Sequence, residues 1–236
     1  MWKLISIALL LSACGGDSPP SPRIPSPPAG KLFVFTDAHI KSLKNSQLVT
    51  PQTCDIGHCY KVRYIPTKTG SMHIGKDFLL SRKVMNATLS YKIRIPKDFQ
   101  FTFGGKALGV RPEKGSKAGA GKPPLGRWSA RVMFNKWKGL STYTYHQAQK
   151  GPYGDHGPRI NEPVINDGEW HNVELKVSVG NYTRLKIDGV VVSEQVPFVT
   201  SSAIAKFSFT TFHGGNSLKY APTKTQVLYF ADIEVK

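Results

Sequence analysis

Acidic residues are scarce in this 236-residue chain: 15 Asp and Glu stand against 32 Lys and Arg, a formal net charge of +17. Hydrolysis of a glycosidic bond generally needs two carboxylates flanking the scissile bond. The acids here fall mostly in turns, as Asp155, Asp167 and Asp188 do, and Glu169 and Glu174 in "DGEWHNVELKV" read as solvated edge residues. A nucleophile elbow of the form G-x-S-x-G and a metal-binding H-E-x-x-H helix are both missing. No nucleic-acid module signature is present. Long helical periodicity and internal repeats are absent too. No apolar run reaches the roughly 20 residues that a membrane-spanning helix requires.

Cysteine is limited to three residues. The first belongs to "MWKLISIALLLSAC", a lysine followed by a short apolar run and small residues, which fits an export signal. The residues ending at Cys14 resemble a bacterial lipobox, in which the cysteine becomes the acylated N-terminus; an ordinary secretory signal with a chance cysteine is the alternative. Residues 15–30 are rich in Gly, Ser and Pro and read as a stiff spacer. The expected organisation is a signal at 1–14, a linker at 15–30 and one domain over 31–236. Gly15-Gly16 after the cysteine, with no aspartate there, points to the outer membrane of a Gram-negative cell, on its periplasmic or cell-surface side. The other two cysteines, in "TCDIGHCY", read as a local Cys54–Cys59 disulfide in an exported protein. A metal site recruiting His58 and Asp55 is the alternative, and its remaining ligands are not evident.

A positive surface draws polyanions: nucleic acid, anionic lipid or acidic polysaccharide. Export removes intracellular nucleic acid from reach, which leaves an acidic polysaccharide as the expected partner beside the lipid-anchored membrane.

Short alternating runs recur along the chain, broken by Gly, Pro, Asn and Asp. Strands are predicted at 32–35, 59–64, 87–95, 128–134, 141–146, 171–179, 183–187, 190–195, 205–212 and 227–235. Asp188-Gly189 between two β-branched runs is a strong hairpin signal. This spacing predicts an all-β protein, an antiparallel β-sandwich. Lys106 to Arg127 and His146 to Gly168 read as long loops, rich in Gly, Lys and Pro. Lys114, Lys117 and Lys122 in the first are either a solvated loop or a device that steers a polyanion.

Between these loops lies "WSARVMFNKWKGLSTYTYHQAQKGPYG". Alternate residues of a strand share a face. Trp128, Ala130, Val132 and Phe134 make one apolar face; Ser129 and Arg131 lie on the other. A five-residue hairpin loop over 135–139 sets Arg131 opposite Tyr143 and Ser129 opposite Tyr145 on the solvent side. That row is either a binding floor or an Arg–Tyr stack that covers the sheet.

Five stretches, in order, resemble polysaccharide lyase family 14, the alginate and glucuronan lyases. They are "FTFGGKALGV", "GRWSARVMF", "STYTYHQAQKGPYG", "DGEWHNVELKVSVG" followed by "LKIDGVVV", and "FSFTTFHGGNSLKYAPTKTQVLYFADIEV". They cover most of 86–236; the chain before 86 matches poorly. The resemblance implies a β-jelly roll with the catalytic cleft on its concave sheet. It places Lys106 at the family's catalytic lysine, Ser129 and Arg131 at substrate contacts, and Tyr143 and Tyr145 at its tyrosine pair. Two departures bear on the preferred polymer: the loop after Lys106 is unusually basic, and Tyr220 stands where the family has a tryptophan-like residue.

β-Elimination on a 1,4-linked uronate suits these residue types. Removing the C5 proton builds negative charge beside an existing carboxylate, and cations relieve that. Arg131 offers a planar fork and Lys106 a point charge. A tyrosine is neutral at its ordinary pKa of about 10; nearby cations favour its phenolate. Tyr145 is assigned as base and proton donor, Tyr143 as its partner, and the reverse order remains open. Gln149 and Tyr153 follow in the loop as candidate sugar contacts. His213 before Gly214-Gly215 reads equally as a contact or a turn residue. Parity turns His146 away from Tyr145, which favours a structural role, although it is kept among the candidate contacts with Tyr220. The chemistry requires no metal and no organic cofactor, and a monomer is expected.

Overall fold

The computed structural model describes residues 27–117, 121–161, 163–215 and 217–236. The expected signal segment, the expected lipidation site at Cys14 and most of the expected linker lie outside the described residues. In chain order the strands are β1 (Phe33–Val34), β2 (Val49–Cys54), β3 (Gly57–Tyr64), β4 (Pro66–Thr67), β5 (Gly70–Ser71), β6 (Ile74–Val84), β7 (Asn86–Arg94) and β8 (Gly104–Arg111). There follow β9 (Ser129–Asn135), β10 (Leu140–Tyr145), β11 (Asp155–His156), β12 (Trp170–Ser178), β13 (Tyr182–Ile187), β14 (Val190–Gln195), β15 (Ile204–His213) and β16 (Gln226–Val235).

They form an all-β sandwich of jelly-roll type. One sheet runs β14-β13-β12-β7-β16-β3-β2, with β1 beside β16. The facing sheet runs β11-β10-β9-β8-β15-β6, and β4 and β5 make a small ribbon. In β7, Ala87, Leu89, Tyr91 and Ile93 are buried while their neighbours are exposed or half-buried, the alternation of a strand with one solvated face. These side chains join Leu175 and Phe230 of the same sheet, and Val132, Phe134, Phe207 and Phe209 of the other, in one core. Aromatic contacts cross the gap, with Phe209 6.3 Å from Phe230 and Tyr64 6.3 Å from Phe134 between ring centres. Trp128 is fully buried, and its indole N–H donates to the Ser202 carbonyl at 2.7 Å.

The β9–β10 hairpin adopts the register its sequence predicts: Arg131 pairs with Tyr143 and Ser129 with Tyr145. Asn135 shapes the turn, its side-chain oxygen accepting from the backbone N–H of Trp137 and Gly139. Asp188 and Gly189 both have positive φ, as a two-residue hairpin turn of this type requires. Cys54 and Cys59 are bonded across the β2–β3 hairpin, with their Cα atoms 6.0 Å apart. The residues of the alternative metal site are engaged elsewhere: His58 with Asp37, and Asp55 with Arg94 and Trp170.

Both expected loops are in part strand: β11 falls within 146–168, and the first loop begins inside β8. Residues 106–111 belong to β8, which lies between β9 and β15 in the middle of its sheet. Its glycines mimic a loop in sequence, yet they serve close approach. A Cβ on Gly105 would collide with the Phe134 ring and the Phe212 carbonyl, and one on Gly109 with the Ala130 carbonyl and the Arg131 stem. β6 carries no sequence-based expectation, because consecutive Phe78, Leu79 and Leu80 hide its period; Leu79 is exposed while the other two are buried. Gly105→Ala is expected to lower stability by about 1–3 kcal/mol, the usual cost of overpacking, read as a lower urea midpoint. An unchanged midpoint would show that the sheet yields at this point.

Candidate active site

Strand parity alone does not bring Lys106 to the face that carries Arg131. Met133 pairs with Lys106 and Arg131 with Gly109, so three steps on β8 match two on β9. The extra residue is a β-bulge, and it turns Lys106 to the same side as Arg131 and Met133. Ala107 and Leu108 within the bulge are both fully buried. The result is a cleft of about 460 Å³ with Lys106, Met133, Tyr143 and Tyr145 in its wall. Tyr153 and His156 enter from the segment after β10, and Phe212 and Tyr220 from the far end of β15 and the turn beyond.

Tyr143, Tyr145 and Met133 form a small buried cluster separate from the main core. The two phenol rings meet edge to face, 5.5 Å between centres. The expected solvent-side row is therefore largely covered, with Tyr143 6% and Tyr145 3% exposed, because loop residues roof the strand. A directed chain of hydrogen bonds runs through the pair. The Gly154 N–H donates to the Tyr143 oxygen at 3.1 Å, and the Tyr143 hydroxyl donates to the Tyr145 oxygen at 3.2 Å. Burial, followed by the contact with Tyr145, raises the Tyr143 pKa. Cations nearby do not make Tyr143 a phenolate: burial outweighs them, and this residue stays a neutral donor.

The Lys106 ammonium lies 5.6 Å from the centre of the Tyr143 ring and 5.0 Å from that of Phe212. Burial, and then the positive charge of Arg131, pull its pKa down to about 8. Arg131 reaches across Gly109 toward β15, where its guanidinium donates to the Thr210 carbonyl at 3.4 Å. Asp77 lies in the field of Arg131, pairs with Arg111 at 2.7 Å and accepts a hydrogen bond from Ser208. These groups keep two guanidinium groups side by side in one sheet face.

The other predicted contacts divide. Tyr153 and Tyr220 line the cleft, Tyr153 being about half exposed at 51%. Ser129 pairs with Tyr145 in the ladder, but its hydroxyl is tied to Ser116 at 3.1 Å and is nearly covered. His146 lies away from the cleft: it packs on Phe198, accepts from the Val199 N–H and sits 3.3 Å from Asp155. Gln149 is fully buried and staples its loop, bonding the carbonyls of Gly121 and Gly151 and the His146 N–H. His213 is a core residue, packed among Tyr64, Phe99 and Phe134, with its Nε2 2.7 Å from the Gln100 carbonyl. As sugar contacts, His146, Gln149 and His213 are therefore corrected: strand ends and turns in this fold point these side chains inward.

Four side chains of the cleft wall, Phe103, Met133, His156 and Phe212, escape the sequence reading. Met133 follows Ser129 and Arg131 at the same two-residue spacing, so continuing that period finds it. His156 has no such signal, since "YGDHGP" reads as loop. The structure pairs it with Tyr143, their rings 4.9 Å apart, and burial followed by the nearby Lys106 charge lowers its pKa against the pull of Asp155. Among the described residues no three His, Cys, Asp or Glu side chains gather as a metal site.

The sequence model of the family described as Polysaccharide lyase 14 matches residues 58–233. No curated protein sequence matches the chain. Among solved structures, alginate lyase Aly36B superposes with a TM-score of 0.68 at 17% identity, over 88% of this chain and 93% of that one. Alginate lyase vAL-1 from Chlorella virus gives 0.66 at 19%, over 87% and 99%. The PL-14 alginate lyase from Aplysia kurodai gives 0.62 at 15%, over 88% and 99%. At these identities the structures establish the fold; the family match over three quarters of the sequence establishes that this chain belongs to polysaccharide lyase family 14 and is a polysaccharide lyase.

Proposed function

We propose that the enzyme cleaves alginate by β-elimination, leaving a 4,5-unsaturated uronate at the new non-reducing end. The observation that carries this reading is the relay that ends on the Tyr145 oxygen, close to two cations held on one sheet face. Binding alone would need only the cations; the ordered phenol pair has a use in proton transfer. Family membership and alginate lyases of the same fold support the polymer.

In this mechanism Lys106 and Arg131 engage the carboxylate of the sugar whose C5–H bond breaks. Tyr145, as phenolate, takes the C5 proton while the hydrogen bond from Tyr143 and the neighbouring cations stabilise its charge. The electron pair left at C5 spreads into the carboxylate as an enolate-like intermediate, which the two cations stabilise. That pair then forms the C4–C5 double bond as the C4–O4 bond breaks. O4 takes the proton from the Tyr145 hydroxyl, which restores the phenolate. The substrate carboxylate also removes the repulsion that Lys106 and Arg131 exert on each other.

A panel of polymannuronate, polyguluronate and glucuronan, followed by the ultraviolet absorbance of unsaturated uronate, tests the substrate. Turnover confined to glucuronan would shift the polymer and keep the chemistry, and silence on all three would defeat the proposal. Tyr145→Phe is expected to cost roughly a hundred- to ten-thousand-fold in kcat, the usual worth of a proton-transfer group, with affinity for polymer little changed. Lys106→Ala is expected to cost roughly a hundredfold or more and to weaken binding as well. Full activity of Tyr145→Phe would remove this residue as base. The pH profile tests the charge on Lys106. Its charged form stabilises the intermediate, so a downward bend in kcat/KM is expected near pH 8, where the free enzyme's lysine loses its proton, and Lys106→Arg, which stays charged, should remove that bend. A bend that survives in Lys106→Arg would contradict this role.

A further inference from the structure

The strands that carry the catalytic cleft end, at their other extremity, in a second cavity. β8 starts near Lys106 and ends at Arg111; β9 and β15 start at Ser129 and Ile204 and run back toward the cleft. Pro112 to Lys114 follow β8, Leu125 to Arg127 precede β9, and Ser202 and Ala203 precede β15. Together with Lys83 at the end of β6, they enclose a cavity of about 470 Å³, the size of the cleft itself.

Its chemistry suits an acidic sugar. Lys83 donates to the Glu113 carboxylate at 2.7 Å, and Lys206 to the Glu113 backbone carbonyl at 3.1 Å. One carboxylate therefore occupies Lys83. Lys114 and Arg127 also face this space, are exposed and form no salt bridge among the described residues. Leu125, 60% exposed, and Pro124 supply an apolar surface beside them. Volume, apolar wall and a few placed charges are the usual make-up of a ligand pocket.

Cations also lie between the two cavities. Arg131 pairs through the ladder with Gly109, two residues before Arg111, and Arg111 pairs with Lys206 on β15. From Lys106 to Arg111 is five steps of strand, roughly 17 Å at about 3.3 Å per residue. Arg111 is taken up by Asp77, and Lys206 donates to the Glu113 carbonyl, so the cations left to meet a polymer with one carboxylate on every sugar are Lys106 at the cleft, with Arg131 behind it, and then Lys114 and Arg127.

We infer that the cavity bounded by Lys83, Lys114, Leu125 and Arg127 is a distal subsite for the same acidic polysaccharide chain, holding uronate units several sugars from the bond that breaks. Lys114 and Arg127 take the carboxylates, and Leu125 packs against the sugar ring. The inference rests on the uronate polymer proposed above and specifies a second place where the enzyme holds it. A long chain spans both cavities; a short oligosaccharide fills only the cleft.

The test compares the full domain with its Lys114→Ala/Arg127→Ala variant on polymeric alginate and on a tetrasaccharide. A Lys41→Ala/Lys176→Ala variant, which removes two exposed cations elsewhere, controls for loss of net charge. The expected result is a KM for polymer raised roughly threefold to tenfold, as the loss of two exposed charge contacts implies. Turnover of the tetrasaccharide and the control variant should be unchanged. Equal losses on polymer and tetrasaccharide, equal losses in the control variant, or no loss at all would each overturn the subsite. Polymer affinity measured by calorimetry keeps the two proposals apart. A parent enzyme that turns over no uronan but binds polymer through Lys114 and Arg127 would sink the substrate reading and retain the subsite. Binding of the parent, but not the variant, to anionic lipid vesicles with polymer affinity unaffected would assign the cavity to a membrane surface and defeat the inference.

Discussion

Two like charges brought together under cover are the constraint around which this site is built. Lys106 and Arg131 project from neighbouring strands into one sheet face, and the lysine's pKa falls to about 8 because burial and its neighbour both oppose its charge. Water would relieve that repulsion at an exposed surface; here the walls of the cleft limit it. An anion entering between them is favoured before any specific hydrogen bond is counted. In the proposed mechanism the same field also acts on the negative charge that develops in the bound sugar, so binding and catalysis would draw on a single arrangement.

Backbone details hold this arrangement in place. The bulge between Lys106 and Gly109 changes the parity of β8, and without it the lysine would point into the core. Gly109 leaves room for the Arg131 stem, and Gly105 lets β8 approach Phe134 and β15. Behind the arginine, Asp77 supplies a carboxylate that offsets part of the crowding between Arg131 and Arg111. On the other side, Gly154 donates its N–H to Tyr143, which fixes the direction of the phenol pair.

Strand period and turn chemistry made much of this legible in advance. The Arg131–Tyr143 and Ser129–Tyr145 pairs follow from the hairpin length alone, and the Asp188-Gly189 turn from its two residues. The sandwich follows from the spacing of the short strands. What stayed hidden has physical reasons. The glycines of β8 look like a loop until the neighbouring backbones are present to need them. A bulge leaves no mark on hydrophobic period, so only the family resemblance pointed to Lys106. His146, Gln149 and His213 are polar residues that the fold turns inward and satisfies with backbone partners, an outcome composition does not reveal. His156 joins the cleft through a two-residue strand too short to carry a pattern.

The most direct measurement is a crystal structure of the Tyr145→Phe enzyme with a bound alginate tetrasaccharide. The account predicts one sugar carboxylate within hydrogen-bond reach of both the Lys106 ammonium and the Arg131 guanidinium, with the C5 hydrogen of that sugar facing the position of the missing phenol oxygen. A carboxylate turned away from both cations, or a C5 hydrogen on the far side of the ring, would contradict it.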